Sequence, residues 1–236
     1  MYYYRLTRRG TEVLDNDLER GGDLNIEQKL NDKEHSHLIK EIETSTNILI
    51  GAPHHAPKGI KSLPCKEHPD SDENVGYLAQ YLANKLNASY IIAVNAKSDY
   101  NKILDSEYIQ FIKYIKPKIF IEIHGHGGTN AKQDIEISTG SKDKESWSIE
   151  LSKILKENLQ KDDTLNNLSV SGSWNEIYFT AKYTKSIKTG DWIGFHIELP
   201  QNLRISKLDA VTLPPEEGYL FLDYLAKTVK QLINTL

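Results

Sequence analysis

The sequence predicts an α/β protein, a three-layer α/β/α sandwich around a mixed, mostly parallel central sheet. Three observations carry that expectation. Apolar runs of strand length, such as Ile48-Leu49-Ile50 and Ile119-Phe120-Ile121, alternate with segments whose apolar residues recur at helical spacing. The strand runs are apolar on both faces, as in parallel sheets covered on both sides. Capping and breaking residues punctuate the alternation.

Residues 1–46 are polar and charge-rich, broken by Gly21-Gly22. Within them Ile26, Leu30, Leu38, Ile39 and Ile42 suggest a weak helical stripe on a lid, arm or insertion. Residues 47–52 read as a buried strand, and Tyr77, Leu78, Tyr81, Leu82 and Leu86 mark one face of a helix. A second strand spans 89–94. Asp105 is placed to cap a helix carrying Tyr108, Ile109, Ile112 and Ile115, which Pro117 ends. Residues 118–123 form a third strand and 134–138 a shorter one. A long amphipathic helix covers about 143–160, and residues 175–181 and 192–199 are β-rich. Pro214-Pro215-Glu216-Glu217 then opens a terminal helix, with proline and acids in the first turn where the helix dipole favours them. One domain of residues 1–236 is expected, with the α/β core over 47–236.

Composition narrows the function classes. A net charge of −4, with 29 Lys and Arg spread along the chain, offers no basic face for nucleic acid. The single cysteine, Cys65, excludes an internal disulfide and a CxxC ribbon, which fits a reducing cytoplasm. No apolar run approaches the ~20 residues of a membrane span. The start, Met1-Tyr2-Tyr3-Tyr4-Arg5, does not resemble a signal peptide.

Three polar clusters follow apolar runs. They are Pro53-His54-His55-Ala56 with Asp72-Glu73 downstream, Glu122-Ile123-His124-Gly125-His126, and His196-Ile197-Glu198. In such sheets ligands bind beyond the carboxyl ends of strands. The two-residue period sets Glu122 and His124 on one face with Phe120, and Ile119, Ile121 and Ile123 on the other. It likewise separates His196 and Glu198 from Phe195, Ile197 and Leu199. Imidazoles and carboxylates gathered at strand ends are the ingredients of a zinc site with an open position. A buried carboxylate such as Glu198 must be paired, coordinated or catalytic, and a salt bridge to Arg204 is the plain structural alternative. Adjacent histidines point to opposite sides of an extended chain, so His54 is taken as the ligand and His55 as supporting or structural. Asp72 is placed to cap the next helix, leaving Glu73 as the carboxylate ligand. Neither GxSxG nor a Walker loop occurs.

In order and rough spacing these segments resemble the N-formylglutamate amidohydrolases, of the zinc-carboxypeptidase-like superfamily. The resemblance runs from about Asn47 to Arg204, and Asp99-Tyr100-Asn101-Lys102 is similar to the superfamily's Asp-x-Asn-Arg segment. His55-Ala56-Pro57 stands where Ser-Gly is usual, and Lys102 where arginine is expected. The resemblance implies one zinc per chain held by His54, Glu73 and His124, with Glu198 as general base and acid. It implies Asn101, Lys102 and Arg204 as partners of a substrate carboxylate; His55, Asp72, Glu122, His126 and His196 are the further candidates around the metal ligands. The implied activity is hydrolysis of an N-acyl acidic amino acid, a small-molecule amide, in the cytoplasm. A metallopeptidase, a poly-γ-glutamate-type hydrolase or a non-catalytic metal-dependent binding protein are the alternatives; the oligomeric state is open.

Overall fold

The computed structural model describes residues 24–234. Helix α1 (Ile26–Leu30) and strand β1 (His37–Glu41) precede the long strand β2 (Ile48–Ala56). The two-residue strand β3 (Asp72–Glu73) leads into α2 (Val75–Leu86), followed by β4 (Ser89–Val94) and α3 (Glu107–Ile115). Next come β5 (Ile119–Gly125), β6 (Ile135–Ser138), α4 (Glu145–Leu159) and β7 (Val170–Ser171). Short α5 (Lys185–Lys188), β8 (Ile193–Leu199), short α6 (Gln201–Arg204) and α7 (Glu216–Ile233) complete the described chain.

The eight strands form one sheet in the order β1-β4-β2-β5-β8-β6-β7, with β3 pairing onto β2. Pairings of β2 with β4, β5 and β3, of β5 with β8 and of β6 with β7 are parallel; β1–β4 and β6–β8 are antiparallel. The sheet is thus mixed and mostly parallel, as the apolar runs predicted.

Helices cover both faces. Ile50, Ile92, Ile121 and Ile197 pack with the apolar stripes of α2, α4 and α7, whereas Leu49, Ile91 and Phe120 pack with Tyr108, Ile109 and Ile112 of α3. From β2 the chain crosses through α2 to β4 on one side, then through α3 to β5 on the other. Right-handed crossovers in opposite directions leave the two helices on opposite faces. The same reversal opens a crevice at the carboxyl ends of β2 and β5.

Several expectations change. Leu38 and Ile42 pack on one face of β1 and Ile39 on the other, the period of a strand rather than of the predicted helical stripe. The first 23 residues of the polar segment, Gly21-Gly22 included, lie outside the described chain. Ser106, not Asp105, caps α3 by accepting from the Ile109 N–H. Residues 175–181 form turns rather than strand, because the Tyr178 and Phe179 N–H groups bond to a carboxylate, that of Glu136.

Candidate metal centre

Strands β5 and β8 run parallel in a register that sets Glu122 beside His196 and His124 beside Glu198. All four side chains continue the face that carries Phe120, as the two-residue period predicted, and all are buried. Beyond the cover of α3 this face becomes the floor of a pocket of about 790 Å³.

His54 reaches the same pocket through a β-bulge. Strict alternation from Leu49 would aim His55, not His54, at the α3 face. Between Ala52 and His55 strand β2 advances three residues while β4 advances two, from Ile92 to Val94. The extra residue inverts the alternation. His54 therefore joins His124, ring centroids 5.1 Å apart, and His55 turns beneath α2. There His55 Nδ1 accepts from the Gly76 N–H (3.1 Å) and Nε2 donates to the Leu30 carbonyl (2.9 Å). Burial pushes this imidazole down to about 4, so it is neutral and structural.

Asp72 completes the group. Its Oδ2 lies 3.1 Å from His124 Nδ1 and 3.6 Å from His54 Nδ1. These ligand atoms all fall within 4.8 Å of one another. The far nitrogen of each ring meets a second carboxylate: His54 Nε2 is 3.1 Å from Asp99 Oδ1, and His124 Nε2 is 3.0 Å from Glu122 Oε2. Carboxylates placed behind ligating histidines fix their tautomer and orientation. Glu122 is held in turn by Ser186 Oγ (2.7 Å) and Asn101 Nδ2 (3.2 Å), and Asp99 by Lys102 Nζ (2.7 Å). Burial opposes ionisation of Asp72, yet the His124 and His54 imidazoles outweigh it and hold the carboxyl well below its usual range. Burial likewise opposes the charged form of His124, but Asp72 and Glu122 raise it to about 10.

A divalent cation fits this donor set. His54 Nδ1 is buried without a hydrogen-bond partner and faces the shared Asp72 oxygen. Two imidazoles and a carboxylate are zinc-type ligands, and the surrounding carboxylates Asp99, Glu122 and Glu198 supply negative charge.

Asp72, rather than the expected Glu73, therefore stands with the histidines. The two acids form β3, pairing with His55 and Ala56 of β2, so their side chains leave on opposite sides. Glu73 Oε2 accepts instead from the Gly59 N–H (2.5 Å). Nor does Asp72 cap α2: Asn74 occupies the N-cap in a left-handed conformation without a side-chain cap bond.

Glu198 has one oxygen, Oε2, buried without a hydrogen-bond partner, and the other 3.6 Å from His196 Nε2. Burial pushes its carboxyl up from the ordinary range. The His196 ring stacks on His124 at 4.2 Å and, through burial and that neighbouring positive charge, stays neutral. No ion pair joins Glu198 to Arg204 among the described residues. The Arg204 guanidinium bonds three backbone carbonyls, those of Leu199 (3.2 Å), Glu73 (2.9 Å) and His126 (3.2 Å). Arg204 thus braces β3, the end of β5 and the end of β8, which its expected part in substrate binding does not explain. Asn101 lines the pocket, donating Nδ2 to Glu122 while its buried Oδ1 has no hydrogen-bond partner, and the Lys102 side chain beside it remains 40% exposed. His126 donates to the Asp134 carbonyl (2.9 Å) and accepts from the Gly128 N–H (3.1 Å), which shapes its loop.

Four contributors escaped sequence reasoning. His68, on the loop between β2 and β3, stacks on His54 at 4.0 Å. Asp99, Ser186 and Glu136 orient other groups. Asp99 sits in the Asp99-Tyr100-Asn101-Lys102 segment but was given no role of its own, and an acid within the apolar run Ile135-Glu136-Ile137 was the signal for Glu136.

No protein-family model matches this chain, and no curated protein matches it. Solved structures do. A bacteriophage poly-γ-glutamate hydrolase superposes with a TM-score of 0.59 at 9% identity, over 85% of this chain and 91% of that one. N-formylglutamate amidohydrolase from Ralstonia eutropha JMP134 superposes with a TM-score of 0.51 at 10% identity, over 84% of this chain and 97% of that one. The chain has the fold these proteins share, the three-layer sandwich implied by the sequence resemblance. Among the described residues no helix is long and apolar enough to cross a membrane.

Proposed function

We propose that this chain is a zinc-dependent amidohydrolase that cleaves an amide bond near a carboxylate, with N-formylglutamate and related N-acyl acidic amino acids as first substrates. One observation carries the reading: a buried carboxylate with a free oxygen, Glu198, lies beside a cluster of two imidazoles and an acid. His54, Asp72 and His124 would hold one zinc per chain. When bound, zinc supplies Lewis acidity, polarising a carbonyl and acidifying water.

The remaining work falls to the protein. Glu198 takes the proton of the attacking water and returns it to the leaving amine, and the raised affinity for protons that burial gives it suits both tasks. Asp99 and Glu122 fix the two histidine rings. Lys102 offers an ammonium at the pocket wall to a substrate carboxylate, and neutral His196 buttresses His124.

A poly-γ-glutamate-type hydrolase is the second reading. Its support is the pocket, roomy at about 790 Å³ and lined by Lys61, Lys102 and Lys182. Purified protein assayed for zinc and then given N-formylglutamate and poly-γ-glutamate tests both. Near-stoichiometric zinc with amide cleavage is expected. Full turnover by metal-free protein, or no amide cleavage by the zinc-loaded protein, contradicts the proposal.

A further inference from the structure

Glu136 lies on β6 with no exposed surface and has no ion-pair partner among the described residues. An isolated buried carboxylate is costly unless hydrogen bonds satisfy it. Here backbone N–H groups from two loops do so. Oε1 accepts from Lys132 (2.7 Å) and Gln133 (3.3 Å), and Oε2 from Tyr178 (2.8 Å) and Phe179 (2.7 Å). One loop continues the Gly127-Gly128-Thr129-Asn130 wall of the pocket, and the other supplies Tyr178 through Thr184. The loops meet again where His126 stacks on Phe179 at 5.9 Å and Lys132 Nζ reaches the Asn175 carbonyl (3.3 Å).

We infer that Glu136 is a positioning residue for substrate binding, a carboxylate clamp that sets the two pocket-wall loops against each other. It sits opposite Glu198 in the β6–β8 register, so the clamp and the proposed base share one piece of sheet. Charge-assisted bonds are roughly twice as strong as neutral ones, and glutamine at this position supplies one acceptor and a clashing NH₂. The kinetic part of the test rests on the amidohydrolase reading; the exchange part does not.

The experiment compares wild type and Glu136→Gln by hydrogen exchange at the amides of residues 132, 133, 178 and 179, and by kcat and KM for amide hydrolysis. Exchange about tenfold or more faster at those amides is expected, with β5 and β8 still protected. KM rises about tenfold while kcat stays within about threefold. Unchanged exchange, a uniform loss of protection across the sheet, or a fall in kcat at unchanged KM overturns the inference. Should Glu136→Gln not fold, Glu136→Asp, which keeps the charge but shortens the reach, is judged by the same outcomes. If zinc-loaded wild type hydrolyses no amide, the functional reading fails and exchange alone decides the clamp.

Discussion

Glu198 stands beside His124 across the β5–β8 ladder, one of its oxygens unbonded and the other 3.6 Å from a neutral imidazole. That geometry separates binding from chemistry. Glu198→Gln keeps the shape and leaves His54, Asp72 and His124 untouched. It should retain zinc at the wild-type ratio and lose about 100-fold or more in kcat. Metal analysis beside an amide-hydrolysis assay checks both halves, and an undiminished variant refutes the assignment.

The two acids of β3 make opposite predictions. Asp72→Asn should weaken zinc binding by at least about 100-fold, beyond the 10–100-fold typical of an outer partner such as Asp99. Glu73→Gln should leave zinc affinity nearly unchanged, since Glu73 bonds Gly59. Thermal shift against zinc concentration reads this without substrate: at about a hundred times the dissociation constant the fold gains about 2.7 kcal/mol. Equal losses in the two variants would contradict the cluster.

His55 gives a prediction on pH. Burial holds its imidazole at about 4, against 6.5 when exposed. Below pH 6.5 the unfolded chain takes up a proton that the folded chain refuses until about pH 4. The contribution of neutral His55 is therefore complete above pH 6.5 and lost as pH falls through 4, about 3 kcal/mol in all. Melting temperatures from pH 7.5 to 4 should fall less steeply in His55→Gln than in wild type; parallel slopes would refute this.

Gly125 and Gly127 flank His126 but differ in space. A Cβ on Gly125 would collide with the Arg204 guanidinium, whereas one on Gly127 meets nothing within 4 Å. Gly125→Ala should cost about 1–3 kcal/mol, as overpacking does, and Gly127→Ala a few tenths. Denaturant unfolding of both variants checks the contrast.

The strands of the core and the faces of β5 and β8 were legible because apolar alternation over several residues leaves little freedom. Phe120, Glu122 and His124 share a side for that reason alone. What stayed hidden depends on contacts between distant segments. Asp72 and Glu73 look equivalent in sequence until β3 pairs with β2 and sends them apart. The bracing by Arg204 was hidden because its carbonyl partners come from three separate segments. His68 lies in a proline-bounded loop without periodicity, and only folding sets it on His54. Tyr178 and Phe179 looked like strand because their β-forming side chains say nothing of where their backbone N–H groups bond.

The irregularity in β2 decides which of two chemically identical neighbours serves the cleft and which supports a helix. Straightening the strand at unchanged length, so that Ala52 to His55 alternated strictly, would exchange their duties. Redesigns of this strand must therefore preserve the bulge as well as composition, because phase alone separates ligand from scaffold.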